Sequence, residues 1–390
     1  MKQAALVLLL FVPLVLAAQE ATPGSTKNQT GVTSAVQANT PAKSDDGSSA
    51  EPVTGNDVVS NESPNAQQQP NAKPSQAPPP RTETRPKIPG SMVGYIDNPI
   101  PESQIRIRFD DNFDDEFPDR SEFVYAKCRC YTVLNTLAPN PISQAYDPNA
   151  PGPGTGVPTS VNYQQLFMNA EYSPYRRFSA FVEVPIRWLQ PQGFIAFTPF
   201  PNESGLSDVT AGFKFAAVAS ESTYVTFQFK SYFPSGDSSK GLGTNHYSIE
   251  PSILLYQRLS DRFALEGQVG DWHPIGGSAG VPITNSEGFA GDVFFYGIGP
   301  SYKLYRGRHV GLTPVVELFG WHVISGFQTQ PGGPVLGAAS EVGGVNIVNL
   351  KVGVRTNFGF HNSIYIGFGQ ALTHDDWYKH IVRVEYRYTF

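Results

Sequence analysis

The front of the chain lacks aromatic residues: no Phe, Tyr or Trp lies between Phe11 and Tyr95. A segment without large apolar side chains cannot bury enough surface to offset the entropy that folding costs. Residues 19–100, which are rich in Pro, Gln, Ser and Asn, are therefore predicted to be a disordered linker. The aromatic residues, 12% of the chain, mark the part that is expected to fold.

Charged residues and cysteine are also scarce. Charged residues make up 16% of the chain, below the roughly 25% of soluble domains. The net charge of −6 argues against a nucleic-acid partner. Cys128 and Cys130 are the only cysteines, and such a pair supplies half of a structural zinc site. Cysteines this close in sequence form a strained ring on oxidation, so we interpret them as two thiols without a metal, and we expect no cofactor.

Long apolar runs are absent after residue 18, which argues against a transmembrane helix. Residues 1–18 combine a positive charge at Lys2, a short apolar core and the small residues Ala17 and Ala18. This combination is typical of a secretory signal peptide, so we expect the chain to be exported.

The rest of the chain shows a period-two alternation of apolar and polar residues, which is typical of strands. We count twelve strands, near residues 120–132, 160–173, 176–190, 206–219, 221–234, 244–259, 261–273, 290–305, 308–322, 344–358, 362–371 and 379–390. Short connections alternate with long ones, as in bacterial outer-membrane barrels whose short turns are periplasmic. We therefore predict an all-β fold, a transmembrane antiparallel up-and-down β-barrel over residues 101–390, with strands from about residue 120.

The last predicted strand carries a more specific signal. From Val382 to Phe390, apolar residues alternate with charged residues and Thr. This looks like the closing strand of bacterial outer-membrane β-barrels, which typically ends in an aromatic residue. The resemblance implies a location in the bacterial outer membrane among its lipids. It also implies that the barrel-assembly machinery recognises Tyr386, Tyr388 and Phe390.

The stretch before the predicted strands is ambiguous. Residues 104–109 alternate like a strand, and the acidic run 110–116 follows them. Such oxygen-rich runs can bind calcium, but the spacing is not that of an EF-hand, and we interpret the run as a solvated loop. A third alternative is that residues 91–118 enter the barrel lumen, pair with basic wall residues and close it.

The alternation also assigns the two faces of the wall, with apolar residues toward lipid and charged residues toward the lumen. The candidates that line the lumen are Glu183, Arg187, Lys214, Lys230, Glu266, Glu317, Lys351, Arg355, Arg383, Glu385 and Arg387. The aromatic residues that share the inward phase are Phe181, Phe295, Phe319 and Tyr365. Since twelve strands enclose a narrow lumen, we expect a restricted passage. Aromatic residues near strand ends are assigned to interfacial girdles. They are Tyr131, Tyr172, Tyr175, Trp188, Tyr247, Tyr256, Trp272, Tyr305 and Trp321.

Two histidines next to aspartates raise the possibility of catalysis or metal binding. His273 follows Asp271 and Trp272, and His374 precedes Asp375. Either could be a fragment of an acid–base site, but neither comes with a nucleophile motif. We therefore do not expect an enzyme or a metal centre.

A family resemblance comes from the middle of the chain. Residues 205–209 read Gly-Leu-Ser-Asp-Val, residues 233–237 read Phe-Pro-Ser-Gly-Asp, and residues 241–245 read Gly-Leu-Gly-Thr-Asn. This order resembles the MetA-pathway-of-phenol-degradation family of outer-membrane transporters, over roughly residues 200–390. The resemblance implies a barrel that passes hydrophobic and aromatic compounds. The residues themselves predict a structural role, with Asp208 capping a turn or bonding to loop backbone groups.

Two functions are compatible with these patterns. The first is a channel or transporter for passive passage of small solutes, hydrophobic or aromatic ones included. The alternative is a non-transporting structural or adhesion barrel that displays extracellular loops.

Deletion of Phe390 is expected to impair assembly in the membrane, because it removes the terminal aromatic residue of the closing strand. The amount of folded protein in isolated outer membranes measures this effect. Normal insertion of the truncated chain would contradict the assignment.

Overall fold

The computed structural model describes residues 90–117, 157–195, 201–275, 290–330 and 338–390. In these ranges, twelve long antiparallel strands and two short ones form one sheet. The long strands close the barrel. They are β1 (Gln104–Asp115), β2 (Val157–Tyr175), β3 (Phe178–Ile195), β4 (Val209–Ala219), β5 (Thr223–Phe233), β6 (Tyr247–Arg258), β7 (Phe263–Ile275), β8 (Val293–Tyr302), β9 (Val310–Val323), β10 (Asn346–Phe358), β11 (Asn362–Ala371) and β12 (His380–Thr389).

The sheet is closed, because every strand pairs with its neighbours in sequence and the first strand pairs with the last. At the seam between β1 and β12, Gln104 lies opposite Thr389 and Phe113 lies opposite His380. A closed sheet leaves none of these strands with an unpaired edge, which satisfies the backbone in hydrocarbon. The predicted twelve-strand antiparallel barrel is confirmed.

The first strand differs from the prediction. The strand expected at 120–132 lies outside the described residues, and so do Cys128 and Cys130. The structure begins the barrel at Gln104, in the stretch with the acidic run, so the expectation of strands from about residue 120 is wrong. Acidic residues fit this strand because Asp110 faces the lumen, where it meets Arg383. The predicted signal peptide and most of the predicted linker also lie outside the described residues.

Short turns and long connections alternate around the barrel as predicted. The short-turn end carries tight connections such as residues 176–177, between β2 and β3, and 359–361, between β10 and β11. Gly359 has a φ of 64°, which favours glycine. The long-loop end carries a short strand Glu203–Leu206 beside β3, a 3-10 helix Ser238–Lys240 and a hairpin of Phe327–Gln330 with Ala338–Glu341. The remaining described element is the short strand Tyr305–Arg306, which pairs with β9 at the short-turn end. None of the described helical residues forms a helix long and apolar enough to cross a bilayer.

The outward face of the barrel is apolar and the inward face is polar. Large side chains on the outward face remain exposed, for example Ile253, Val316, Val352 and Phe368. Charged side chains on the inward face are buried, for example Glu317, which has no exposed surface. This inversion relative to a soluble protein is expected where the outside is lipid.

The girdle assignment is wrong for three aromatic residues. Tyr256 is buried, and Trp272 and Trp321 line an internal cavity. Trp321 shares the inward phase of Phe319 and Glu317 on β9, so position near a strand end is a weaker guide than phase. Tyr172, Tyr175, Tyr247 and Tyr305 are exposed near strand ends, as a girdle requires.

The Val352→Arg substitution, halfway along β10, is expected to lower the free energy of unfolding by about 2–4 kcal/mol, because it places a charge in hydrocarbon. The matched control is Val310→Arg at the short-turn end of β9, where the cost falls to about 0–1 kcal/mol. Urea unfolding in lipid vesicles measures both. Equal costs at the two positions would contradict the assignment of the outward face to lipid.

Candidate functional site in the barrel lumen

Residues 90–103, which we call the inner segment, lie inside the barrel rather than in a linker. From Ser91 to Pro101, every residue except Asp97 is buried. The segment leads directly into Gln104 at the short-turn end of β1, so it fills the lumen from that end. The alternative in which residues 91–118 enter the lumen holds only for residues 91–103, because residues 104–115 form the wall strand β1. The linker expected to reach residue 100 ends earlier. Its backbone is accommodated because wall side chains replace the partners that a sheet would supply.

Glu317 on β9 holds the middle of the inner segment. Its Oε1 atom accepts a hydrogen bond from the Gly94 N–H at 2.9 Å, and its Oε2 atom accepts those of Tyr95 and Ile96 at 2.9 and 2.8 Å. The Tyr365 hydroxyl also donates to Oε1 at 3.2 Å. A carboxylate that accepts several backbone N–H groups is a strong anchor, since charge-assisted hydrogen bonds contribute about 1.5–3 kcal/mol each.

Three arginines bind the carbonyl groups of the same segment. Arg355 donates to Met92 O at 3.0 Å and to Val93 O at 2.7 Å. Arg383 donates to Gly94 O at 2.6 Å, and Arg387 donates to Ser91 O at 3.1 Å. The Met92 N–H of the same segment donates a hydrogen bond to Glu266 Oε1 at 2.9 Å. Carboxylates and guanidinium groups of the wall therefore satisfy this backbone in the manner that buried polar groups require.

Apolar packing complements these polar contacts. Met92, Val93, Tyr95 and Ile96 belong to one buried cluster with wall residues such as Phe319. Two glycines make the close approach possible. A Cβ atom at Gly94 would lie 2.2 Å from the Tyr365 ring, and one at Gly299 of β8 would lie 2.8 Å from Val93 Cγ1.

Residues 97–99 of the inner segment are held by polar side chains of β5. Asp97 Oδ2 accepts from Lys230 Nζ at 2.7 Å and from Gln228 Nε2 at 2.8 Å. Burial alone would raise the pKa of Asp97, but the Lys230 ammonium outweighs burial and holds that pKa well below its ordinary value. The Thr226 hydroxyl donates to Pro99 O at 2.5 Å. Asp97 therefore stays ionised and bound to the wall at neutral pH.

Charged residues at the seam form a continuous network across β1, β3, β10 and β12. Arg106 contacts Glu183 at 2.8 Å and Glu385 at 3.8 Å. Glu385 also accepts from Arg355 at 2.9 Å and from Arg387 at 3.0 Å. The guanidinium of Arg383 donates two bonds of 2.6 Å to the two oxygens of Asp110. Because these ions are buried, removal of one partner would be far more costly than at a surface.

A cavity of about 350 Å³ lies in the lumen beside the inner segment. Its wall mixes charged and aromatic side chains. Cationic residues in the wall include Arg106, Arg108, Arg187, Lys214, Lys230, Lys351 and Arg383. Aromatic residues include Tyr95, Phe167, Phe181, Phe295, Phe319, Trp321, Trp377 and Tyr378. The volume lies in the range of small-molecule sites, about 300–1,000 Å³.

The family-like motifs of the sequence meet at the long-loop end. Asp208 Oδ1 accepts from the Gly236 N–H at 3.0 Å, and Oδ2 accepts from the N–H and hydroxyl of Thr244, each at 2.8 Å. A Cβ atom at Gly243 would lie 2.6 Å from Asp208 Oδ1. The predicted bond from Asp208 to loop backbone groups is confirmed. These motifs fold the connection between β5 and β6.

Most of the eleven predicted lumen residues contact the inner segment, line the cavity or do both. Those that contact the inner segment are Lys230, Glu266, Glu317, Arg355, Arg383 and Arg387. Those that line the cavity are Glu183, Arg187, Lys214, Lys230, Lys351 and Arg383. Glu385 lies in neither group and joins the arginines of the seam. The aromatic residues given the same inward phase are inside the barrel too, and Tyr365 is fully buried.

Several lumen residues were not predicted. Arg106, Arg108 and Asp110 come from β1, where alternation with Ile105 and Ile107 was a usable signal. Glu171 of β2, which binds Lys214 at 2.9 Å, follows the same rule. Trp377 and Tyr378 come from the connection before β12 and have no periodic signal.

The histidine candidates occupy the long-loop end. His273 Nδ1 lies 2.5 Å from Asp292 Oδ1, and both lie near Asp271, with one ligand atom of each residue within 4.8 Å of the others. This trio has the ligand types of a metal site, but His273 is exposed. His374 is exposed as well.

The terminal aromatic residues lie at the short-turn end. Phe390 is 60% exposed, its ring stacks on Tyr388 at 6.2 Å, and its N–H donates to Ser103 O at 3.0 Å. The Tyr386 hydroxyl donates to Asn362 Oδ1 at 2.6 Å. Recognition of these residues by the assembly machinery stays a prediction.

Comparison with known proteins gives one family. The family model described as "Putative MetA-pathway of phenol degradation" matches residues 157–270. The family resemblance is confirmed over this stretch. It covers the motifs around Asp208, and the seam lies outside it. No curated protein matches the chain.

Three solved structures illustrate the low similarity of this chain to known barrels. An outer membrane channel from Pseudomonas putida F1 is 11% identical, with a TM-score of 0.43, over 74% of this chain and 96% of that chain. The β domain of the Bordetella autotransporter BrkA is 12% identical, with a TM-score of 0.40, over 74% and 100%. The KdgM porin is 9% identical, with a TM-score of 0.35, over 74% and 99%.

Glu317→Gln is expected to loosen the inner segment, because an amide cannot replace a carboxylate that accepts three backbone N–H groups. The reporter is Val93→Cys in a chain whose Cys128 and Cys130 are replaced by Ser. Its labelling by a small water-soluble thiol reagent should become at least about tenfold faster, which corresponds to about 1.4 kcal/mol.

The matched control is Glu203→Gln, which removes a carboxylate whose nearest cation is Lys240 at 4.0 Å, on the long-loop end. This control should leave the labelling rate of the reporter unchanged. Equal rates in the Glu317→Gln and parent chains would show that Glu317 does not hold the inner segment.

Proposed function

We propose that this protein is an outer-membrane channel for the passive passage of small solutes, hydrophobic and aromatic ones included. The observation that carries the proposal is a closed barrel whose lumen contains a cavity of about 350 Å³ lined by both aromatic and charged side chains. Outer-membrane lipids surround its apolar face, and the barrel-assembly machinery is its partner during insertion. The aromatic wall supports passage of flat apolar solutes, and the paired charges keep the path hydrated.

The inner segment sets the resistance of this channel. It fills the lumen on the short-turn side, and its contacts with Glu317 and the three arginines are numerous. Passage therefore requires at least a partial displacement of residues 91–97, and opening of the path is coupled to loss of these hydrogen bonds.

A second candidate function is a barrel that does not transport and serves to display its long loops. The observation in its favour is the same inner segment, because a lumen filled from the short-turn end needs no solute to explain it. The two functions differ in whether any variant of the full chain conducts.

Conductance in planar bilayers and uptake into proteoliposomes test the channel. The full chain should conduct, and the Glu266→Gln/Glu317→Gln double variant should conduct at least severalfold more, because two anchors of the inner segment are weakened. Phenyl glucoside should enter liposomes at least as fast as maltose, a solute of similar size without an aromatic ring.

The control is again Glu203→Gln, which should behave as the parent chain. Absence of conductance and of uptake in the parent chain and in the double variant would contradict the channel and favour the displaying barrel.

A further inference from the structure

Among the described residues, Lys351 lacks the ion pair that two other lumen lysines, Lys214 and Lys230, form. Its side chain is buried, with 3% of the residue exposed. Within the described part of the chain, it has neither a hydrogen bond nor a carboxylate oxygen within 4.0 Å. Lys214 and Lys230, by contrast, bind Glu171 and Glu250, each at 2.9 Å. A buried ammonium without a counter-ion is costly, so its surroundings require an explanation.

Aromatic rings surround the Lys351 ammonium. Its Nζ atom lies 4.2 Å from the ring centre of Tyr95, 4.9 Å from that of Phe319, 5.1 Å from that of Trp321 and 5.8 Å from that of Tyr378. Rings at these distances stabilise a cation through their quadrupoles. They replace part of the lost hydration but supply no opposite charge.

The carboxylates close to this position are already occupied. Glu317 is the direct cross-strand partner of Lys351 in the register of β9 and β10, yet its oxygens accept the N–H groups of the inner segment. Asp110 gives both oxygens to Arg383. Arg383, which lies over the Tyr95 ring at 4.1 Å, is therefore neutralised by Asp110, whereas no carboxylate oxygen of the described residues binds the Lys351 ammonium directly.

The ammonium and its rings line the lumen cavity. Trp321 and Trp377, whose ring centres are 4.8 Å apart and whose planes are inclined at 55°, add an aromatic wall beside it. An empty aromatic cage would favour a cationic ligand, but here Lys351 occupies the cage and would repel one. An anion would supply the opposite charge that Lys351 lacks.

We propose that Lys351, Tyr95, Trp321 and Trp377 form a binding site for an organic anion with a flat apolar body, of which an aromatic carboxylate is the simplest member. The carboxylate accepts a charge-assisted hydrogen bond from Lys351 Nζ, and the ring of the solute packs against Trp321 and Trp377. This site rests on the proposed channel function for its physiological meaning, and it gives that channel a preference for anionic over neutral aromatic solutes.

Tryptophan fluorescence of the purified full chain in detergent micelles tests the site, because Trp321 and Trp377 form its wall. Benzoate should change the fluorescence saturably. Benzyl alcohol, which has the ring without the charge, and acetate, which has the charge without the ring, should each bind at least about tenfold more weakly. Acetate binding as tight as benzoate would contradict the aromatic part of the site.

The variant Lys351→Met removes the charge and keeps most of the length of the side chain. It should weaken benzoate binding at least about tenfold and leave the binding of benzyl alcohol unchanged. Lys351→Arg should retain benzoate binding. The matched control is Lys214→Met, which alters a lysine of the same cavity that is already paired with Glu171. Retained electrophoretic heat-modifiability of each variant shows that its barrel is folded.

Benzoate binding that is equal in the parent chain and in folded Lys351→Met would overturn the proposal. Absence of benzoate binding to the parent chain would overturn it as well, and conductance in planar bilayers would then still stand as evidence for the channel. Conversely, a chain that binds benzoate through Lys351 but never conducts would retain the site and lose the channel.

Discussion

The structure depends on one constraint: charges that point into the lumen must find partners there. The apolar outward face commits the polar residues of every strand to the inside, where water is limited. Most are satisfied by one another, as at the seam where Glu385 meets Arg355 and Arg387. Pairing across the seam also joins the first strand of the barrel to the last. The same network therefore serves closure of the sheet and neutralisation of the lumen.

The inner segment follows from this constraint. Residues 91–97 present bare backbone N–H and C=O groups, and Glu317, Glu266 and the arginines of β10 and β12 present charges that complement them. Glycines at Gly94 and Gly299 remove the steric obstacle to the approach. Neither partner is satisfied alone, so the wall and the segment stabilise each other. Lys351 is left over from this pairing, and its aromatic surroundings leave a place for an anion.

Sequence periodicity was sufficient for the wall and insufficient for what lies inside it. The alternation around Lys351 on β10, Glu317 on β9 and Arg383 on β12 predicts their inward phase, because a strand has only two faces. The inner segment has no period, since its backbone is held by side chains distant in sequence, such as Glu317 with Tyr95. Position near a strand end is a weaker guide than phase, because Trp272 and Trp321 lie near strand ends and yet line the cavity. The Asp208 motif was predictable as a turn, since a carboxylate between loop glycines has few other uses.

The most direct test of this account is amide hydrogen exchange of the inner segment in the unmodified chain in lipid. Because Gly94, Tyr95 and Ile96 donate to buried Glu317, their amides should exchange as slowly as that of Val352 in the barrel wall. Exchange at the rate of an unstructured peptide would show that residues 91–97 are not held in the lumen. That result would contradict the coupling between lumen charges and the inner segment.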